Sequence, residues 1–427
     1  MNLTTPFLEL DLDVIAERYA ALSAALPGTA IHYAVKANPH PDVLETLAEL
    51  GGRFDVASPA EVTAAAAAGA RPSELLFSNP MKREADLAAA YADGVRLFVV
   101  DSPGEVAKVA RVAPRAAVLA RLLTSGAGSD WPLSRKYGAP ADDCVRLLTY
   151  AASLGLDAAG VAFHVGSQQR DPGAWRAPIA TSARIFTRLE AEGLRPWLLD
   201  LGGGFPAGLE GGHPPLADYG RAVVGQLAES FGGRRPETAV EPGRGIVGDA
   251  GAVVAEVIGV AWRGGRRWVY LDAGVFTGLV ETLDEAVRYR LATSADGGPT
   301  GPVVLAGPTC DSADVLYERH PVELPLDLAE GDIVRLHAAG AYTTCYSTVG
   351  FNGFEPLPTL VGQVRRPGAQ AGLQPSAAPI TPPIILPVIL PAMPLGARRT
   401  RGRRLTGRGR APHRPPGPVA APLAGRR

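Results

Sequence analysis

A lysine at the end of an apolar run is the first residue here whose type and setting suit covalent chemistry. In Tyr33-Ala34-Val35-Lys36-Ala37-Asn38 the amine follows side chains that belong in a core. Burial lowers the pKa of an amine, so such a lysine sheds its proton readily and can form a Schiff base with an aldehyde. Two glycine-bearing segments could hold an anion. Gly202-Gly203-Gly204-Phe205 follows an apolar run, and glycine lets backbone N–H groups close on a phosphate. Glu241-Pro242-Gly243-Arg244-Gly245 adds a guanidinium that can fork onto phosphate oxygens. Glu241 beside that arginine has two readings, an ion pair or a carboxylate aimed at a protonated heterocyclic nitrogen. A Schiff-base lysine, phosphate loops and a partner for a ring nitrogen are together what pyridoxal 5′-phosphate requires. Each motif is individually common, so chemistry alone leaves that reading level with its alternatives.

These residues need elements to bring them together. From residue 31, short runs rich in Val, Ile, Leu and Phe alternate with Ala- and Leu-rich amphipathic stretches, the pattern of parallel βα units. Strands are expected at 31–38, 54–58, 75–80, 97–102, 118–124, 160–166, 197–205 and 238–244. Helices are expected at 41–50, 59–68, 82–92, 103–112, 145–154, 179–192 and 216–231, several opening with Pro near the first turn and closing on Gly. Eight such units predict a (β/α)8 TIM barrel, with its chemistry at the C-terminal ends of the strands. Lys36, Asp55, Asn79, Asp101, Arg121, His164, the three glycines, Glu241 and Arg244 all stand at or just past such ends. Asp101, before Ser102-Pro103, reads more simply as a helix cap. After Asp249 the pattern turns to Val-rich strands and Gly-rich turns. The expected organisation is an N-terminal strand (1–12) joining a β domain, the barrel (13–249), a mainly β domain (250–357) and a tail (358–427).

Charge divides the chain the same way. Its 427 residues have a formal net charge of −1, but residues 1–357 carry 30 basic against 43 acidic side chains, whereas 358–427 hold 12 Arg and no acid. The tail also has 14 of the 39 prolines, which predicts disorder. No aromatic follows Phe354 to stack on bases, which argues against specific nucleic-acid binding. Met1 to Pro6 lacks a signal-like pattern, and the apolar stretch 380–395 is broken by prolines, so a cytoplasmic protein without a membrane span is expected. Three cysteines at no ligand spacing predict neither disulfide nor metal site.

Six segments in order, Tyr33-Ala34-Val35-Lys36-Ala37-Asn38, Phe163-His164-Val165-Gly166-Ser167, Gly202-Gly203-Gly204-Phe205, Glu241-Pro242-Gly243-Arg244, Gly307-Pro308-Thr309-Cys310-Asp311 and Gly340-Ala341-Tyr342, resemble the motifs of the ornithine/diaminopimelate/arginine decarboxylases. These are pyridoxal-phosphate enzymes of the alanine-racemase-like fold, and the resemblance spans about residues 5–357. It implies a homodimer with active sites at the interface. It further implies that Lys36 binds the cofactor covalently and that His164 stacks on its ring. Ser167, Gly204, Arg244 and Tyr342 would hold the phosphate, with Gly243 in the same cofactor-binding set, and Glu241 would keep the ring nitrogen protonated. Asp55, Arg121 and Asn79 would support them. Cys310, entering from the neighbouring subunit, would be the proton donor after CO2 leaves. Asp311 would bind the distal ammonium of a basic amino acid, helped by Asp284, and Lys136 and Asp314 would form a cross-subunit salt bridge.

Asp after Cys310, where diaminopimelate decarboxylases place Glu, favours L-ornithine, with L-lysine a second substrate. The alternatives are a diaminopimelate decarboxylase, a racemase or a catalytically silent regulator of the same fold. Blander readings of the site residues stand beside these, a satisfied core histidine for His164 and a small buried thiol for Cys310.

Overall fold

The computed structural model describes residues 4–133 and 135–362. Its first strand, β1 (Phe7–Asp11), runs straight into the helix Leu12–Ala25. Asp11 makes the junction, its carboxylate accepting the N–H of Asp13 at 2.9 Å and of Val14 at 3.4 Å. The barrel then begins with β2 (Thr29–Ala34), β3 (Arg53–Val56), β4 (Leu76–Phe77), β5 (Leu97–Val100) and β6 (Ala117–Arg121). A short β7 (Ser129–Trp131) stands outside it. β8 (Asp157–Ala162) returns to the barrel, β9 (Ser167–Gln169) pairs antiparallel with β7, and β10 (Leu198–Asp200) and β11 (Glu237–Val240) complete it. The closed order is β10-β11-β2-β3-β4-β5-β6-β8, every pair parallel.

The connecting helices form for local reasons. Pro59–Ala67 and Pro103–Val112 each open with Pro at the first turn, behind a serine whose hydroxyl accepts a backbone N–H, Ser58 from Glu61 and Ser102 from Glu105. Asp101 is therefore not the cap expected of it. Its carboxylate instead accepts the N–H of Gly138 at 3.1 Å, tying the loop after β6 to the barrel mouth. Inside the barrel Leu76, Val99, Leu119, Leu198 and the small residues Ala159, Ala162 and Ala239 pack as a plug of their own.

All eight expected strands exist, and each ends two to five residues before the position expected for it. The cause lies in the residues past the ends. Pro242 has no N–H for a ladder, and Gly166, Gly202 and Gly204 take φ of 96°, 66° and 112°, left-handed values that leave the sheet. Lys36 likewise sits in a short 3₁₀ turn, Val35–Ala37, rather than in β2. Most of the chemistry-bearing residues thus lie just past the strands, with Asp55 in β3 and Arg121 closing β6 as exceptions.

The second sheet contains β12 (Gly251–Arg263), β13 (Arg266–Leu271), β14 (Arg290–Thr293), β15 (Thr300–Ala306), β16 (Val315–Pro325) and β17 (Ile333–His337), in the order β14-β17-β12-β13-β15-β16. β1 joins it antiparallel to β12, with Leu8 opposite Val253. β18 (Thr359–Gly362) then pairs parallel with β1, Leu8 opposite Thr359. This corrects the expected start of the tail: residues 359–362 form a strand because β1 offers an open edge and Val361 reaches the core, only 7% exposed. The rest of the proline- and arginine-rich stretch, from 363, lies outside the described residues. Among the described residues no helix is long and apolar enough to cross a membrane.

Candidate active site

The strand-end loops enclose a cavity of about 580 Å3, within the ~300–1,000 Å3 typical of small-molecule sites. Lys36, Asn79, Arg121, His164, Ser167, Gly204, Glu241, Gly243, Arg244 and Tyr342 all line it. Asp55 stands immediately behind Lys36.

Lys36 Nζ lies 2.7 Å from Asp55 Oδ2, and Ser78 Oγ hydrogen-bonds the other oxygen of that carboxylate. Burial alone would pull the ammonium's pKa down, but Asp55, and behind it Tyr342 and Glu241, outweigh this and hold it above the usual lysine value. The lysine side chain is 47% exposed towards the cavity, so the pair is partly screened. Lys36 therefore waits as a cation on a fixed carboxylate, the reverse of the easily deprotonated amine expected from its apolar neighbours.

Across the cavity, His164 accepts the Gly166 N–H on Nδ1 at 3.0 Å, which places its own proton on Nε2. Burial, and then the charges of Arg121 and Lys36, push its pKa well below the ordinary value, so the ring is neutral. Gly203 allows this packing: a Cβ there would lie 3.0 Å from His164 Nε2 and 2.5 Å from the Glu241 carbonyl oxygen.

Glu241 is 4% exposed, and its Oε1 is buried with no hydrogen-bond partner. Burial first, and then the nearby carboxylates of Asp200 and Asp55, raise its pKa well above the usual range. Asp200, fully buried at the end of β10, is raised too by burial; its Oδ1 accepts the Gly202 N–H at 2.9 Å and its Oδ2 has no partner. The sequence pattern did not single out Asp200, although an acid closing the apolar run Leu198-Leu199 is a visible signal. Two adjoining buried carboxylates hold a proton between them until a cation arrives.

Arg244 is 2% exposed and meets Ser167 Oγ at 3.3 and 3.4 Å. Glu281, which sequence reasoning missed, receives Arg244 Nη2 on both oxygens at 2.7 Å. Tyr342, at φ 57°, places its ring 5.1 Å from the guanidinium, and burial pushes its phenol up to about 12, keeping it a neutral donor. A Cβ on Gly243 would strike that hydroxyl at 2.8 Å.

An amine, a phosphate-sized nook of glycines beside an arginine with a spare buried nitrogen, and an orphaned buried carboxylate fit pyridoxal phosphate group by group. The comparisons agree. The family model "Pyridoxal-dependent decarboxylase, pyridoxal binding domain" matches residues 12–248. The chain belongs to the pyridoxal-dependent decarboxylases. The lysine/ornithine decarboxylase of Selenomonas ruminantium is 36% identical over 363 residues, covering 84% of this chain and 90% of that protein. A solved structure of SrLDC with PLP and cadaverine has 35% identity and a TM-score of 0.77, covering 84% of this chain and 91% of that one. The lysine/ornithine decarboxylase of Vibrio vulnificus, complexed with cadaverine, superposes with a TM-score of 0.76 at 35% identity over 84% and 95% of the two chains. Pyridoxal phosphate is the cofactor of this decarboxylase.

Three expected residues of the decarboxylase stand outside the cavity wall. Cys310 is exposed, its Sγ 3.5 Å from Asn352 Oδ1, and Asp311 beside it is exposed as well. Asp284, with φ 56° and a side chain 93% exposed, lies 3.0 Å from Arg319. Asp314 is 2% exposed and its carboxylate accepts the N–H of Val275 at 2.8 Å and both the N–H and hydroxyl of Thr309, at 2.9 and 2.7 Å. It organises the loop that carries Cys310 in its own chain, and Lys136 lines the cavity mouth.

Proposed function

We propose that this decarboxylase converts L-ornithine to putrescine and CO2, with L-lysine as a second substrate, and that it does so in the cytoplasm as a homodimer. The observation that carries the reading is the pairing of one complete cofactor cavity with a Cys310-Asp311 loop exposed outside it. The described residues lining the cavity include only two carboxylates, of which Glu281 is taken by Arg244 and Glu241 would be taken by the cofactor's ring nitrogen. The distal ammonium of a diamino acid therefore needs an acid from elsewhere, and a second copy would bring Asp311 together with a thiol.

When bound, pyridoxal phosphate supplies an aldehyde for amines and a pyridinium that takes up the electron pair left by departing CO2. The chain's residues do the rest. Lys36, its place fixed by Asp55, would anchor the cofactor's aldehyde end through its amine once its proton has left to solvent. Glu241 holds the ring-nitrogen proton, and His164, being neutral, covers the ring face without adding a charge that would compete. Ser167, Gly204, Gly243, Arg244 and Tyr342 fix the phosphate end, and Arg121 and Asn79 complete the wall. Cys310 of the partner subunit delivers the proton that replaces CO2, while Asp311 of the partner subunit receives the distal ammonium. The retention of both Lys36 and Cys310 argues against a silent scaffold, and Cys310-Asp311 in place of a tyrosine base argues against a racemase.

Asp311 favours ornithine over diaminopimelate, whose decarboxylases place Glu there, whereas ornithine and lysine differ by one methylene, worth only about 1 to 3 kcal/mol in a pocket. The deciding experiment is steady-state decarboxylation of ornithine and lysine in parallel, with the diamine product identified. A kcat/KM for ornithine about 10-fold or more above that for lysine is expected, and release of CO2 from neither would refute the proposal.

A further inference from the structure

Arg244 and Glu281 come from distant parts of the chain, the turn after β11 and the segment Val280–Glu285 between β13 and β14, and meet in the cavity wall. Neither is more than 4% exposed. Both carboxylate oxygens take Arg244 Nη2 at 2.7 Å, while Ser167 Oγ sits 3.3 Å from Nε and 3.4 Å from Nη2. One edge of the guanidinium is thereby consumed, and the Tyr342 ring covers the group at 5.1 Å. Nη1 is left buried without a partner among the described residues.

A carboxylate beside an anion site carries the wrong sign for attraction, so its value must lie elsewhere. Arginine has a long rotatable stem, and without Glu281 its charge would be buried and unpaired, a costly state it would leave by moving. Gripped along one edge, it keeps a single donor nitrogen in a fixed place. We propose that Glu281 is a positioning residue for the cofactor phosphate, holding Arg244 so that Nη1 is reserved for a phosphate oxygen. The proposal rests on Arg244 being the phosphate arginine. Because the Arg244–Glu281 pair is neutral, it offers the phosphate direction rather than net charge.

The test compares apoprotein titrated with pyridoxal phosphate and with pyridoxal, which lacks the phosphate, followed by Schiff-base absorbance and by thermal melting of the apoprotein. Glu281→Gln should weaken pyridoxal phosphate binding about tenfold, the loss of one charge-assisted hydrogen bond, and leave pyridoxal within about twofold. Unchanged or tighter binding of pyridoxal phosphate would overturn the proposal, as would equal weakening of both ligands, which marks a purely structural role. Arg244→Gln separates the two layers: if it too fails to discriminate the ligands, the phosphate assignment itself falls. Should Glu281→Gln not fold, Glu281→Asp, which keeps the charge but shortens the grip, carries the same comparison.

Discussion

At the level of single residues, the site is built on proton placement. Glu241 and Asp200 are both raised by burial, and the charge of Asp200 raises Glu241 further, whereas a hydrogen bond with Glu241 offsets part of the rise in Asp200. Folded, the pair binds protons more tightly than carboxylates near pH 4 in an unfolded chain. As pH rises above about 4 the unfolded chain therefore holds fewer protons than the folded one, and stability falls with rising pH across that window. The apoprotein should accordingly melt lower as the buffer moves from pH 5 upward, by a slope that Asp200→Asn reduces, since removing one acid relieves the other. Melting curves of apoprotein and variant across pH 5 to 8 check this, and identical slopes would show that the two acids do not share a proton. Lys36 and Glu241 were legible in the sequence because a strand-end position and a neighbouring motif announce them. Glu281 was not, because its meaning depends on a contact across 37 positions of chain, and no local pattern encodes that. Lys36 shows the same limit in another form: the apolar run predicted an easily lost proton, but the neighbour that decides its charge, Asp55, comes from the next strand.

The elements are where periodicity served best and strand ends served worst. Apolar runs revealed all eight barrel strands, yet the polar tips that made the runs look longer belong to loops, because Pro242 and the left-handed glycines cannot continue a ladder. One of those loops depends on a residue with no catalytic look. Lys82 is buried and donates to the carbonyls of Asn79, Pro80 and Val99 at 2.9, 3.1 and 2.7 Å, with Glu105 3.6 Å away. Burial lowers its pKa to about 8, and Glu105 offsets part of that. Lys82→Met would leave Glu105 with Lys108 as its one ion-pair partner among the described residues and strand three carbonyls, so a loss of about 3 to 5 kcal/mol is expected in urea unfolding. A loss below ~1 kcal/mol would mean that the cavity lip does not need this support. At the sheet edge, β18 covers β1. A chain ending at Gly362 should keep the melting temperature and activity of the full chain, whereas one ending at Pro358 uncovers β1 and should melt at least about 2 °C lower. Equal melting of the two truncations would show that β18 adds nothing.

For the molecule as a whole, the proposed homodimer, with two copies sharing each site, would give the exposed apolar side chains near the cavity something to cover. The exposed apolar side chains Leu283, Tyr346, Val349 and Phe354 belong to the same short stretches as Asp284, Tyr342 and the Cys310-contacting Asn352. Leu133 and Tyr346 stand on the cavity wall itself. An apolar rim around a polar mouth is what an interface requires and what a lone enzyme avoids. The acidic body, 43 acids against 30 bases in residues 1–357, suits a cationic substrate without deciding which one. The proposed sharing of sites makes a prediction that no single-chain mechanism can imitate. On the proposed roles, Lys36→Ala removes the cofactor's anchor and Cys310→Ala the proton donor, so each variant alone should be nearly inactive. If subunits exchange at random, half the dimers in an equal mixture are mixed, and each of these has one site with both native residues, so activity should recover to about a quarter of the parent's. Recovery requires Lys36 and Cys310 of one site to come from different chains. A mixture that exchanges subunits, as shown by mass, yet stays as inactive as its components would place the thiol and the lysine of each site on the same chain.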